Sequence, residues 1–484
     1  MNTMKEVAGY LPGLAPTDLQ WQTLRFDNRG ERLEVAVPVL TEAQIAELAT
    51  RVRAASRRVL QSMTVSDIVQ VLDRAVARLL DTQDPYRQKA ERLLPLVTGY
   101  DAEMVRLGLT GYLKTFRQPQ LQRFLVEDFG NPLLLDAFQP RATGGFTRAY
   151  GAELSVHVWA GNVPGLPLWS LISSLLVKSG TIGKVASAEP LFAGWFAQLL
   201  VEVEPALADC LAVVWWKGGD EAQEKTFFRQ ADVVLAYGGN TSLEKMRDLV
   251  PITTRFLPHG HKLSLGMVSR QALDARQALR TAQLAAHDVM RYDQQGCYSP
   301  HLFYVERGGK ISPEDFSRYL ANELACFEQK YPRRELTLTE TASLAQWRQT
   351  EELKSVSVPG MDVSGEGGWT VVYCDALQEL APSGLDRTVR VVAVAALAQV
   401  IPLITPHRTL LQTVGLAAAP RELFALANLL GAAGVTRICA VGEMTAPQAG
   451  WHHDGRFSLL DLVQMVDIDA SAEAASEALA PYVD

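Results

Sequence analysis

Residues 294–306 read Gln294-Gln295-Gly296-Cys297-Tyr298-Ser299-Pro300-His301-Leu302-Phe303-Tyr304-Val305-Glu306, a polar loop running into a strand of branched and aromatic residues. Upstream, residues 271–293 repeat apolar side chains at helical spacing, and Gly296 breaks that run. A single thiol therefore sits on a tight helix-to-strand junction, where a nucleophile would be held. Its polar flanks suit a partly exposed thiol whose pKa is lowered by neighbouring backbone N–H groups. The competing reading is an inert cysteine packed as a small hydrophobe. Spacing alone leaves both open.

Outward from this junction the chain alternates strands and helices. LSVHVWA from residue 154 is a strand, PLWSLISSLLVKSG a helix, TIGKVAS a strand and PLFAGWFAQLLVEVEPALADC a helix. LAVVWWKGG, DEAQEKTFFRQA, DVVLAYGG and a helix from Thr241 continue the series. Such alternation predicts a mostly parallel, doubly wound α/β sheet with ligands at the carboxyl ends of its strands. The stretch PHGHKLSLGMV, residues 258–268, marks a hinge into a second α/β region. In that region Ser312 caps a helix with Pro313 at its first position, and GGWTVVYC, TVRVVAV, the LQTVGLA stretch and GVTRICAVG read as strands. Residues 41–130 are mostly helical, opened by Thr41 and Gln44 at capping-box spacing. The resulting division is residues 1–264, a helical N-terminal region with a cofactor domain; 265–440, the region carrying Cys297; and 441–484, a C-terminal return.

Composition bounds the partners. Of 484 residues, 48% are apolar and 21% charged, which is globular, and a net charge of −8 argues against a nucleic-acid backbone as the main ligand. Five widely spaced cysteines without a CxxC pair indicate neither a disulfide framework nor a zinc site and fit a reducing cytoplasm. No signal-like start and no apolar run of about 18 residues predicts stable membrane insertion. In Gly450-Trp451-His452-His453-Asp454-Gly455, adjacent histidines point apart and lack third and fourth ligands at suitable spacing, so no metal is expected.

Three strand-end loops face the cysteine in this scheme: Gly161-Asn162-Val163-Pro164, Gly183-Lys184-Val185-Ala186-Ser187 and Tyr237-Gly238-Gly239-Asn240. Singly each is weak, because glycine turns after strands are common and a loop Asn often caps its own backbone. No GxGxxG fingerprint accompanies them. Together, in this order, they resemble the aldehyde dehydrogenase superfamily over roughly residues 150–480. HVWAGNVPG, the KVAS strand end, AYGGN, PHGHK, QGCYSPH, LQTVGLA and WHHDG look closest to the LuxC-like long-chain acyl-CoA reductases of bacterial luminescence systems.

The resemblance implies an aldehyde dehydrogenase-like fold, with a Rossmann-type cofactor domain, an α/β catalytic domain and a C-terminal oligomerisation segment. It implies a nucleophile at Cys297, an oxyanion site from the Asn162 amide and the Cys297 N–H, Lys184 on the cofactor ribose, and Gly238, Gly239 and Asn240 beside the cofactor phosphates. Hydrolytic relatives carry a Glu in Glu-Leu-Gly-Gly-Lys, and the matching stretch here is Pro258-His259-Gly260-His261-Lys262, without a carboxylate. Without a base for water, a thioester on Cys297 would wait for hydride or thiol, unless His259 or His261 serves as base. Ser187 stands where NAD-preferring relatives place a Glu, which permits NADPH, with Lys217 as a cationic aid to a 2′-phosphate.

The implied activity is NADPH-dependent reduction of long-chain acyl thioesters to fatty aldehydes. The acyl donor is acyl-CoA or an acyl-protein, and the implied partners are an acyl-protein synthetase and a thioesterase. The segment FSLLDLVQMVDID resembles a strand added to a neighbouring subunit, which implies a homodimer or homotetramer. An ordinary aldehyde dehydrogenase, a short-chain acylating reductase and a silent scaffold remain alternative readings.

Overall fold

The computed structural model describes residues 3–28 and 30–481; residues 1–2 and 482–484, the extremes of the first and third expected segments, lie outside it. The start of the chain corrects one expectation. Residues 3–28 and 30–39, within the region expected to be helical, contain a sheet of β1 (Thr3–Val7), β2 (Gln20–Asn28) and β3 (Glu31–Val39), ordered β1-β3-β2. The face of β3 that buries Leu33, Val35 and Val37 holds it to the core, whereas β2 is largely exposed.

Helices follow as expected: α1 (Glu42–Arg58), α2 (Val65–Leu80), α3 (Pro85–Thr98), α4 (Ala102–Lys114) and α5 (Gln118–Phe129). The Thr41–Gln44 capping box forms in full, satisfying donors at the start of α1. Two short strands, β4 (Gln139–Pro140) and β5 (Phe146–Gly151), lead into the first α/β unit. That unit runs β6 (Leu154–Val158), α6 (Leu166–Leu176), β7 (Gly180–Lys184), α7 (Phe192–Val203), β8 (Leu211–Val214), α8 (Glu221–Phe228), β9 (Val233–Tyr237), α9 (Asn240–Leu249) and β10 (Arg255–His259). Its five strands are all parallel, in the order β10-β9-β6-β7-β8. The winding direction reverses between β6 and β9, and at such a switch point the outgoing loops splay apart and leave a crevice. The loops leaving β6 and β9 carry Asn162 and Gly238-Gly239.

Gly260, His261 and Lys262 link this sheet to a seven-stranded one. Its first elements are β11 (Leu263–Val268), α10 (Gln277–Met290), β12 (Pro300–Glu306), α11 (Pro313–Lys330) and α12 (Leu338–Ser357). They are followed by β13 (Met361–Ser364), β14 (Thr370–Cys374), β15 (Thr388–Val394), β16 (Leu411–Ala417) and β17 (Arg437–Ala440). The order is β13-β14-β15-β12-β11-β16-β17, with β13 alone antiparallel. Buried strands rich in Val, Leu and Tyr fill its centre, as expected for a sheet covered on both faces. The final strand, β18 (Val463–Ile468), pairs antiparallel with β5 of its own chain in a sheet ordered β18-β5-β4, so its other side is a sheet edge. No helix among the described residues is long and apolar enough to cross a membrane.

The helix expected over 271–293 ends early. α10 stops at Met290, and Tyr292, Asp293 and Gln294 all take left-handed backbone, with φ of 49°, 49° and 66°. Apolar spacing there did not extend the helix, because side chains from the second sheet hold the segment in another conformation.

Candidate active site

The carboxyl ends of the first sheet meet the amino ends of the second across a cavity of about 430 Å³. Asn162, Tyr237, Gly238, Gly239 and His259 enter it from the first sheet; His261, Lys262, Cys297 and Gln412 enter from the second. Val163, Leu166, Trp169, Tyr112, Tyr298 and Trp451 give it an apolar wall. Trp159 anchors the loop before Asn162. Its ring lies so close against Gly183 of the neighbouring strand that a Cβ there would sit 1.8 Å away, and its Nε1 donates to Ser170 Oγ at 2.7 Å.

Cys297 is partly buried and faces the Asn162 loop, whose Nδ2 donates to the Gln295 carbonyl at 2.7 Å. Tyr100 Oη lies 2.7 Å from the Asn162 carbonyl and 3.2 Å from that of Tyr292, tying the two loops together. From below, Ser264 Oγ donates to the Cys297 carbonyl at 2.9 Å and accepts from Thr413 N–H at 3.1 Å. The expectation of a lowered thiol pKa is corrected. Burial first, then the Asp454 charge, pushes Cys297 up to about 11, against a hydrogen bond from Gln412 and the charge of Lys262.

Asp454, which the sequence offers only within the WHHDG segment and as part of a rejected metal cluster, lines the cavity. Its Oδ1 accepts from Gln412 Nε2 at 2.7 Å, its Oδ2 lies 2.9 Å from His259 Nδ1, and Lys262 Nζ is 3.9 Å from it. Although burial opposes ionisation, the His259 hydrogen bond and the charges around it hold this carboxyl far below the usual range. The motif comparison correctly finds no carboxylate at 258–262, but the fold brings one in from residue 454. A carboxylate held so firmly ionised, with both oxygens occupied, is a weak base for water.

The fold also supplies the third ligand that the sequence lacked: His259, His453 and Asp454 bring ligand atoms within 4.8 Å of one another. The two rings, however, stack with centroids 4.4 Å apart and planes 5° from parallel. Ring lone pairs lie in the ring planes, so parallel stacked rings do not aim at one ion with the convergence a tetrahedral site needs. His453 is buried and pushed down to about 3, hence neutral near pH 7. His452 turns away, edge-on to Phe457 at 4.8 Å.

Of the remaining expected residues, Gly238 and Gly239 line the cavity, whereas Lys184, Ser187, Lys217 and Asn240 do not. Lys184 ends β7 almost fully buried, its Nζ 5.9 Å from the Trp216 ring centroid and its pKa lowered by burial despite the nearby Glu224. Ser187 is exposed and accepts from Trp215 Nε1 at 3.1 Å; Lys217 is exposed just past β8. Gly239 precedes α9 with nothing within 4 Å of where its Cβ would lie, and no side chain caps that helix. Asn240 Oδ1 accepts from His261 N–H at 3.0 Å, so its side chain fastens the inter-sheet link. Glu189, the carboxylate nearest Ser187 in sequence, is buried and accepts from the Leu191 and Phe192 N–H groups at 2.8 and 2.9 Å.

Asp454→Asn tests the electrostatics directly. Asn tolerates left-handed backbone, and Asp454 has φ 55°. Removing the negative charge lowers the Cys297 pKa, and below that pKa the thiolate fraction rises tenfold for each pH unit gained. Iodoacetamide alkylation of Cys297 at pH 8 is expected to speed up about tenfold, corresponding to about 1.4 kcal/mol. An unchanged pH–rate curve would show that this charge does not reach the sulfur.

The architecture matches solved structures along nearly its whole length. Aldehyde dehydrogenase 21 from Physcomitrella patens, in complex with the product succinate, aligns with a TM-score of 0.73 at 13% identity, covering 96% of this chain and 98% of that one. An indole-3-acetaldehyde dehydrogenase complexed with NAD+ aligns with a TM-score of 0.74 at 14% identity, covering 95% and 96%. The fold is that of the aldehyde dehydrogenases. Within it, the sequence profile described as Acyl-CoA reductase (LuxC) matches residues 60–465, and the chain belongs to that family. A curated relative, long-chain acyl-protein thioester reductase 2 of Photobacterium leiognathi, is 25% identical over 441 residues, covering 90% of this chain and 87% of that one.

Proposed function

We propose that this protein reduces long-chain acyl thioesters to fatty aldehydes with NADPH, through an acyl-enzyme on Cys297. One observation carries the reading: Cys297 lines an apolar-walled cavity opposite Asn162, while the coupled carboxylate, Asp454, has both oxygens occupied. The Cys297 sulfur attacks the thioester carbonyl, and the Asn162 amide with the Cys297 N–H holds the oxygen as it gains charge. The proton leaves the Cys297 thiol as its bond to the acyl carbon forms and ends on the departing carrier thiolate, while His259 stays hydrogen-bonded to Asp454. The acyl-enzyme then awaits hydride, since Asp454, ionised with both oxygens occupied by Gln412 and His259, is a weak base for water.

The residues present fit a dinucleotide phosphate. The uncapped N-terminus of α9 behind Gly238 and Gly239 suits the pyrophosphate. Exposed Ser187 and Lys217, with Glu189 turned inward, suit a 2′-phosphate. Lys184 would lie on the ribose side. When bound, the nicotinamide supplies hydride to the acyl carbon. The names of the curated relatives support an acyl-protein donor, with acyl-CoA as the simpler alternative, and an acyl-protein synthetase and a thioesterase are the partners proposed with it. The free outer edge of β18 suits a homodimer or homotetramer.

Purified protein given acyl-CoAs of graded chain length, with NADPH or NADH, is expected to yield aldehyde and free thiol in equal amounts, faster with long chains and with NADPH. Release of carboxylic acid in place of aldehyde would overturn the reductive reading. Faster turnover of short chains, or net aldehyde oxidation, would favour an ordinary dehydrogenase or short-chain reductase.

A further inference from the structure

Eight non-glycine residues among those described have left-handed backbone, and six fall in two tripeptides, Tyr292-Asp293-Gln294 and Leu385-Asp386-Arg387. Three such residues in a row are unfavourable for L-amino acids, so each run persists where its surroundings over-determine it. Here the two runs hold each other. Arg387 Nε donates to Asp293 Oδ1 at 2.7 Å, and each side chain is only 1% exposed. The guanidinium also donates to the Tyr331 carbonyl at 2.8 Å, and Arg334 N–H donates to Asp293 Oδ2 at 3.1 Å.

The grip continues toward the sulfur. Gln294 Nε2 donates to the Pro300 carbonyl at 2.6 Å and the Thr388 carbonyl at 2.8 Å, while its Oε1 accepts from Thr388 N–H at 3.1 Å. One buried amide thus ties both flanks of the Cys297 loop to the start of β15. Gln295 Nε2 donates to Asp386 Oδ1 at 3.1 Å, and the Gln295 carbonyl receives the Asn162 amide. The clamp therefore fixes the nucleophile relative to the amide opposite it.

We propose that Arg387, acting through Asp293, is a positioning residue that sets the place of the Cys297 sulfur. The inference rests on the reading of Cys297 as nucleophile. The Arg387–Asp293 ion pair, with Glu328 accepting from the same guanidinium, supplies the hold, and the geometry it enforces is needed for acyl transfer rather than for substrate binding.

Two variants test it: Arg387→Lys, which keeps the charge and loses the planar fork, and Asp293→Asn, which keeps the shape and loses the charge. Each is compared with the parent at one temperature well below both thermal midpoints, where both are essentially fully folded. The burst of thiol released from an acyl-CoA reads acylation, and iodoacetamide reads access to the sulfur. The expected result is acylation at least tenfold slower with KM for the thioester within threefold, and alkylation at least threefold faster as the loop loosens. Loss of folding alone would lower apparent kcat at unchanged KM and speed alkylation, so both rates are expressed per folded site, with the folded fraction read by circular dichroism; unfolding leaves those normalised rates unchanged. Acylation within threefold of the parent in a folded variant overturns the proposal. If the parent itself forms no acyl-enzyme, the functional reading fails separately. The clamp is then judged by alkylation, and a rate within twofold of the parent overturns it.

Discussion

Cys297→Ala is expected to remove thioester reduction, lowering kcat by at least about a thousandfold, or about 4 kcal/mol of barrier. The loss should be chemical. The Cys297 carbonyl is held by Ser264 and its loop by Gln294, both through atoms that alanine retains or does not touch. Truncating one partly buried sulfur costs little stability, about 1 kcal/mol or less. The variant should fold, keep its thermal midpoint within a few degrees and still bind NADPH. Intact-mass analysis during turnover should show one acyl group on the parent and none on the variant. A folded Cys297→Ala protein that still made aldehyde at the parental rate would remove the covalent scheme altogether.

What the sequence revealed about this site follows physical lines. Elements set by local periodicity were legible: the α/β alternation from Leu154 onward, the Thr41 and Ser312 caps and the loop placing Cys297 before β12. Features set by side chains meeting across the fold were not. Tyr292 and Asp293 close the stretch read as helical, yet with Gln294 they are left-handed, and Asp293 is held by Arg387, remote in sequence. Asp454 reads as part of a loop until β10 and β16 bring His259 and Gln412 onto its two oxygens. The thiol pKa was misjudged for the same reason: polar neighbours in sequence suggested stabilisation of a thiolate, whereas burial and Asp454 dominate in space. β2 escaped notice because its exposed strand offers little apolar alternation to read.

Asn162→Ala should be the next most damaging change, slowing acylation about 10²–10³-fold, equivalent to about 2.7–4 kcal/mol. In the structure the Asn162 amide donates to a neutral acceptor, the Gln295 carbonyl. An oxygen gaining negative charge in the tetrahedral intermediate is a stronger acceptor, so the amide has more to gain there than in the resting site. That difference between states is what accelerates a reaction, whereas equal binding of ground and transition states does not. KM for the thioester should therefore stay within about threefold while kcat falls. Loop collapse predicts something else, and the structure argues against it: Tyr100 holds the Asn162 backbone carbonyl whatever the side chain, and Trp159 anchors the preceding strand. Asn162→Asp separates the two explanations, since it keeps the shape but sets a carboxylate against the developing oxyanion. It should be at least as slow as alanine. Single-turnover release of carrier thiol is the measurement, and an unchanged rate in Asn162→Ala would leave the oxyanion to other donors.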